Sequence, residues 1–309
     1  MPRYRRTASL ATTPMLVALL LVATAGGYVY GVYSAAHNSW PLESLRKLKN
    51  IVRPPPKLLG TYDRTGRLTR YPGKIAVDCP DQTNDTAVLL AAGQSNSANN
   101  GQRKFTTRYP GQAFNYFDGK CYAAASPLLG ASGEGGEFLT LLADQLISGG
   151  TYKSVIILSS GIGATTISRW QRDGDLNDML LATVRAMAGK YKVTEVIWHQ
   201  GETDFRNVTS TKNYVMAFNS LLQTLAEVGV VAPVYVAIAT KCFANWVPDN
   251  PVARGQRQLI DDKKIYLGAD TDSLLADGDR RDACHFSESG QLKTAMAYAE
   301  AIRESRRTN

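Results

Sequence analysis

Thr86-Ala87-Val88-Leu89-Leu90-Ala91-Ala92-Gly93-Gln94-Ser95-Asn96-Ser97 is a short apolar run that breaks into a polar turn. Six consecutive apolar residues without alternation suit a strand buried on both faces, as in a parallel sheet covered by helices. Four more runs of this kind follow: Val155-Ile156-Ile157-Leu158, then residues 193–198, 234–239 and 264–267. Helical spacing fills the intervals between them. Leu176, Leu180, Val184 and Met187 share one face, as do Tyr214, Phe218, Leu221, Leu225 and Val228. A last helix from about Ser289 places Leu292, Met296, Ala299 and Ile302 on a stripe. Five strands with intervening helices predict an open, mostly parallel sheet with helices on both faces. Sites in such sheets lie beyond the carboxyl ends of the strands.

Three groups of polar residues occupy such ends. Ser95 follows the first strand, in a turn that departs from the GxSxG elbow because position 97 is serine. Gly163-Ala164-Thr165-Thr166-Ile167-Ser168-Arg169-Trp170 follows the second strand, and His199-Gln200-Gly201-Glu202-Thr203-Asp204 the third. The chain has three histidines, His37, His199 and His285. His285 closes Asp282-Ala283-Cys284-His285-Phe286-Ser287 just before the last helix, so one loop delivers a carboxylate and an imidazole together. A hydrolytic triad needs that pairing: histidine takes the serine proton and the carboxylate fixes its tautomer. His285 is therefore the expected base, and His199 reads better as scaffold. Backbone amides at Ser95 and Gly163 and the side-chain amide of Gln200 are the expected oxyanion donors. For Gly161 and Gly163 the plainer reading is turn chemistry, and for Trp170 it is packing.

Taken together, Gly-Gln-Ser-Asn after the first strand, Gly-x-Thr-x-Ile-x-x-Trp, His-Gln-Gly-Glu-x-Asp and Asp-x-x-His-Phe-Ser resemble the SGNH hydrolase superfamily, most of all its sialate O-acetylesterase and acetylxylan esterase branch. The likeness covers residues 86–303. It implies a three-layer α/β/α fold with a five-stranded flavodoxin-like sheet. It also implies Ser95 as nucleophile, His285 as base, Asp282 as its orienting acid, an oxyanion hole from Ser95, Gly163 and Gln200, and a supporting role for Glu202. Two departures stand out. Ala164 occupies the second position of a usual Gly-Gly pair, which leaves Gly161 as an alternative amide donor, and residues 99–136 match no motif.

The resemblance implies a serine carbohydrate esterase that removes O-acetyl groups from a sugar or polysaccharide, without metal or organic cofactor. No HExxH or clustered Cys/His pattern suggests a metal site. Two other readings stay open: a polysaccharide O-acetyltransferase using the same triad, and an inactive glycan-binding subunit, against which intact Ser95, Asp282 and His285 argue. Trp246 is a candidate for stacking on sugar, with ordinary packing as the alternative.

Composition sets the surroundings. Of 309 residues, 44% are hydrophobic and 20% charged, the balance of a globular protein. The net charge of +8 is concentrated at one end: residues 1–57 hold eight Lys/Arg and one acid, the rest 27 basic and 26 acidic side chains. A nearly neutral body gives no electrostatic reason for a nucleic-acid partner. Residues 1–13 form a short basic tail with Arg3, Arg5 and Arg6, and residues 14–36 an apolar stretch long enough to span a bilayer. Ala23-Thr24-Ala25 resembles a signal-peptidase site, whose cleavage would release a secreted protein. Because Tyr28-Val29-Tyr30-Gly31-Val32-Tyr33 prolongs the apolar run, a retained signal-anchor is preferred, with the membrane as partner. Residues 37–57, ending in Pro54-Pro55-Pro56, read as a stalk, and residues 58–309 as the esterase domain. Asp63-Arg64-Thr65-Gly66 predicts a turn that opens this domain with a small hairpin. Cys79, Cys121, Cys242 and Cys284 allow three pairings, of which Cys79 with Cys121 and Cys242 with Cys284 is preferred over the others and over free thiols. Disulfides would place the body outside the cytoplasm, in the periplasm or at the cell surface.

Overall fold

A computed structural model describes residues 12–37, 39, 44 and 58–308. The chain divides into two units, Met1–Lys57 and Leu58–Asn309. In the first, helix α1 spans Thr12–His37, and its segment Val17–Ser34 is long and apolar enough to cross a membrane. The basic tail up to residue 11 and the Pro54-Pro55-Pro56 stretch lie outside the described residues.

The second unit opens with the expected hairpin, β1 (Thr61–Tyr62) against antiparallel β2 (Leu68–Arg70). Asp63 shapes its turn by accepting from the Thr65 and Arg67 amides at 2.9 and 3.1 Å. The main sheet contains β3 (Ala76–Val77), β4 (Thr86–Gly93), β5 (Ala113–Phe117), β6 (Lys120–Ala123), β7 (Ser154–Ser159), β8 (Glu195–His199), β9 (Val234–Ile238) and β10 (Ile265–Asp270). Their order is β10-β9-β8-β4-β7-β5-β6-β3. The five expected strands are β4, β7, β8, β9 and β10, and they run parallel. The sheet is nevertheless eight-stranded. Residues 99–136, silent in the motif reading, supply β5, parallel to β7, and β6, antiparallel to β5, and β3 closes that edge.

Every residue of β4 is buried, as its apolar run requires. Val88, Leu90 and Ala92 face one core, and Ala87, Leu89 and Ala91 the other. The first core is covered by α3 (Asp175–Met187), α5 (Thr211–Glu227) and α6 (Pro251–Leu259); the second by α2 (Leu139–Ser148) and α8 (Glu288–Thr308). The result is three layers. Short helices α4 (Glu202–Arg206) and α7 (Thr271–Leu274) follow β8 and β10.

Helix α8 differs from expectation in its rotation. Leu292 and Met296 are exposed, while Gln291, Ala295, Tyr298, Ala299 and Ile302 are buried. The inward stripe includes polar side chains whose groups find partners inside. Gln291 donates to the carbonyls of Arg103 and Glu137, and Tyr298 donates to Trp198 O at 3.0 Å while stacking on Phe138. Both preferred disulfides form, Cys79–Cys121 and Cys242–Cys284.

Candidate active site

Strand β4 lies at the switch point of the sheet, between β7 and β8, where a crevice opens beyond the carboxyl ends. Gly93, the last residue of β4, pairs with His199 of β8. It has φ 136°, and a Cβ there would stand 2.1 Å from His199 O. Only glycine permits this approach. The backbone then turns sharply: the Gln94 amide donates to His199 O at 3.0 Å, and Ser95–Ser97 form a single 3-10 turn. Ser97 Oγ donates back to Ala92 O at 3.1 Å, pinning the turn to its strand.

The loop after β7 is laid along this turn. Ser160 N donates to Ala91 O at 2.8 Å and Ile162 N to Gly93 O at 2.9 Å. Gly163 comes next, and a Cβ on it would lie 3.6 Å from Ser95 Cβ and 3.9 Å from Asn100 Nδ2. The Gly163 amide is capped by Ser132 Oγ at 2.8 Å. Ala164 takes a left-handed conformation, φ 57°, a region that glycine enters without the steric cost a side chain adds. Gly161 sits against the Ser97 carbonyl.

Asp282 and His285 share one tight loop. His285 Nδ1 lies 2.9 Å from Asp282 Oδ2 and 3.2 Å from Oδ1, while the His285 amide donates to Oδ1 at 2.7 Å. Partial burial works against ionisation of Asp282, but hydrogen bonds from the His285 amide and ring outweigh it and hold the carboxyl below its ordinary value. The loop is fastened from outside by Arg280, whose Nη1 donates to Cys284 O at 2.8 Å, and by the Cys242–Cys284 disulfide to the segment after β9. That segment is itself held by buried Asp272, which accepts from the amides of Thr240 and Lys241.

Ser95, Gly163, Asp282 and His285 line one open cleft of about 490 Å³. Its walls add residues to which the motif reading gave no role: Gln94, Asn100, Thr203, Arg206 and Phe243. The Arg206 guanidinium stands over the Phe243 ring, 5.5 Å from its centroid. Trp246 does not line the cleft; its Nε1 donates to Thr240 Oγ1 at 2.9 Å. Trp170 is fully buried, edge-on to Trp198.

Gln200 lies beneath the cleft rather than in its lining. Fully buried, its Nε2 donates to Thr165 O at 2.9 Å and to Asp204 Oδ2, and its Oε1 accepts from Tyr214 OH at 3.1 Å. The expected third oxyanion donor is thus turned toward the loop that carries Gly163. Asp204 joins it there by accepting from Ile167 N at 2.7 Å. His199 is also buried, edge-on to Phe286, and burial with the nearby charge of Arg280 pushes its pKa down to about 3, so its ring is neutral. Glu202 is buried too, and desolvation lifts its carboxyl to about 7. Among the described residues no three His, Cys, Asp or Glu side chains gather as a metal-binding group.

With this geometry in view, the comparisons with known proteins are specific. Residues 85–304 match the family described as carbohydrate esterase, sialic acid-specific acetylesterase. The chain belongs to this family. The esterase shares its fold with a protein of Arabidopsis thaliana at 15% identity, TM-score 0.58, over 71% of this chain and 98% of the other. Two weaker structural likenesses accompany it. A carbohydrate acetylesterase from Xanthomonas citri is 17% identical over 72% of this chain and 57% of its own, with TM-score 0.48. An acetyl xylan esterase from Geobacillus stearothermophilus is 14% identical over 72% and 96%, with TM-score 0.47. No curated protein sequence matches the esterase. Family membership supports a hydrolase acting on esters.

Proposed function

We propose that the esterase removes acetyl groups from a carbohydrate through an acyl-Ser95 intermediate. The observation that carries this reading is the convergence of Ser95, Gly163, Asp282 and His285 on one cleft, with the Asp282 carboxylate 2.9 Å from His285 Nδ1. A carboxylate on Nδ1 leaves Nε2 as the basic nitrogen. His285 takes the Ser95 proton as Oγ attacks the acetyl carbon, and the developing oxyanion is held by the Ser95 and Gly163 amides, displacing the Ser132 hydroxyl that caps Gly163 N. The imidazolium then protonates the departing sugar oxygen. Water, deprotonated by the same imidazole, attacks the acyl-serine and releases acetate. Gln200 and Asp204 serve the hole indirectly, by fixing Thr165 O and Ile167 N and so the course of the loop through Gly163. An acetylated sugar or polysaccharide is the substrate that the family implies. We place the catalytic body outside the cytoplasm, held to the membrane by α1; the apolar helix and two disulfides support that arrangement.

The test is acetate release from a small activated acetyl ester and from an acetylated oligosaccharide, by the whole chain in detergent, beside Ser95→Ala. Turnover should fall by about 10³-fold or more in the variant, since the hydroxyl forms the intermediate. A folded parent that binds glycan without releasing acetate, or a Ser95→Ala variant as active as the parent, would overturn the assignment.

A further inference from the structure

Asn96 is adjacent to the nucleophile and reaches the base. Its side chain is 2% exposed, and its polar atoms are engaged by two other parts of the molecule. Nδ2 donates to Glu202 Oε1 at 2.8 Å and to Cys284 O at 3.3 Å, while Oδ1 accepts from Phe286 N at 3.3 Å. Cys284 and Phe286 are the residues on either side of His285. One amide therefore grips both peptide groups flanking the imidazole, from a position one residue beyond Ser95.

The other fastenings of the His285 loop lead elsewhere. Arg280 links Cys284 O to Thr271 O, and the disulfide leads to the segment after β9. Asp282 acts within the loop itself. Among the described residues, the two Asn96 bonds are the direct hydrogen bonds between the Ser95–Ser97 turn and residues 282–286. Glu202 makes the grip directional. Its Oε1 accepts from Nδ2, so it selects the NH2 end of Asn96 and leaves Oδ1 to face the Phe286 amide. Glu202 is kept in the interior for this although its Oε2 has no partner among the described residues, an arrangement that costs stability.

We propose that Asn96 is the positioning residue that sets the separation and orientation of Ser95 and His285, with Glu202 holding its amide in the productive sense. The inference rests on the triad reading above. It predicts damage to the chemical step rather than to binding, since the Asn96 polar atoms point into the protein and the substrate occupies the cleft.

The experiment measures kcat and KM of the whole chain in detergent with a small activated acetyl ester, per folded molecule counted by near-UV circular dichroism. Asn96→Ala should lower kcat about 100-fold, the scale expected for a misplacement of about 1 Å, with KM changed less than about threefold. Asn96→Asp keeps the shape and the acceptor for Phe286 N but sets a carboxylate against Glu202, and should fall as far. Combining it with Glu202→Gln exchanges donor and acceptor across the pair and should recover at least about tenfold over Asn96→Asp alone, a rescue that a purely structural role does not produce. An Asn96→Ala variant within threefold of the parent, or a double variant no better than Asn96→Asp, overturns the inference. Ser95→Ala in the same assay separates the two claims. If it is inactive while Asn96→Ala is parent-like, only the positioning role fails; if it is as active as the parent, both fail.

Discussion

Ala164 turns the chain through φ 57°, next to Gly163, whose amide donates to Ser132 Oγ. A left-handed conformation costs an L-residue roughly 1–2 kcal/mol, and glycine avoids that cost while giving part of the gain back as a freer unfolded chain. Ala164→Gly should therefore stabilise the esterase by about 0.5 kcal/mol, a rise of about 1–2 °C in melting temperature for a domain of this size. Thermal unfolding followed by circular dichroism checks it, and a lowered midpoint would show that the alanine methyl packs better than its backbone suffers. The imidazole and carboxylate proposed for catalysis were readable because histidine is rare in this chain. Three histidines and one Asp-x-x-His before a helix leave little choice. Asn96 and Asn100 were not readable, because an asparagine in a polar turn usually signals only the turn. Nor was the direction of Gln200: its amide could be assigned to the cleft from its place after β8, but the pull of Thr165 O, Asp204 and Tyr214 belongs to the packed structure.

At the junction of β8 and α4, two buried groups make stability depend on pH in opposite senses. His199 titrates near 3 when folded, against an ordinary 6.5, because burial and then Arg280 oppose its charging. Between those values the unfolded chain binds a proton that the folded chain refuses, so stability from this group is lost as pH falls below about 6.5. Glu202 is the reverse. Burial raises it from 4.5 to about 7, the folded chain retains a proton that the unfolded one releases, and stability is lost as pH rises across that window. His199→Phe should flatten the acid side of the stability curve, by on the order of 1 kcal/mol per pH unit between pH 4 and 6 relative to the parent. Urea midpoints at several pH values give the two slopes, and parallel curves would sink the claim. At this scale the sequence was legible where burial is uniform. Continuous apolar runs announced the five contiguous parallel strands from β10 to β7, because a strand covered on both faces needs no polar alternation. Strands β5 and β6 escaped because they are short and mixed: Asn115 sits buried inside β5, its amide satisfied by Leu129 and Ile157. Helix α8 was found but rotated, since Gln291 and Tyr298 carry polar groups whose interior partners no periodicity reveals.

For the whole molecule, charge and chemistry are segregated. Residues 1–57 hold eight basic side chains and one acid, whereas the body is balanced to within one charge. Every residue proposed for catalysis lies between Ser95 and His285, on elements whose two cores close within Leu58–Asn309. Both disulfides also join residues of that unit. If the first unit serves only to attach the esterase to a membrane, removing it changes where the enzyme is and leaves what it does. A protein of residues 58–309 should then remain soluble without detergent, and its kcat/KM on a small acetyl ester should match that of the whole chain within about twofold, since an unchanged transition-state contact set leaves that ratio unchanged. The whole chain should bind vesicles and hold to them in high salt, because about 20 apolar residues anchor by burial and not by charge. Salt-sensitive binding would instead assign attachment to the basic residues flanking α1, which are screened within about 10 Å at 0.1 M salt. A truncated protein that folds and loses activity would make the first unit part of the catalytic machinery and end the reading of it as an anchor.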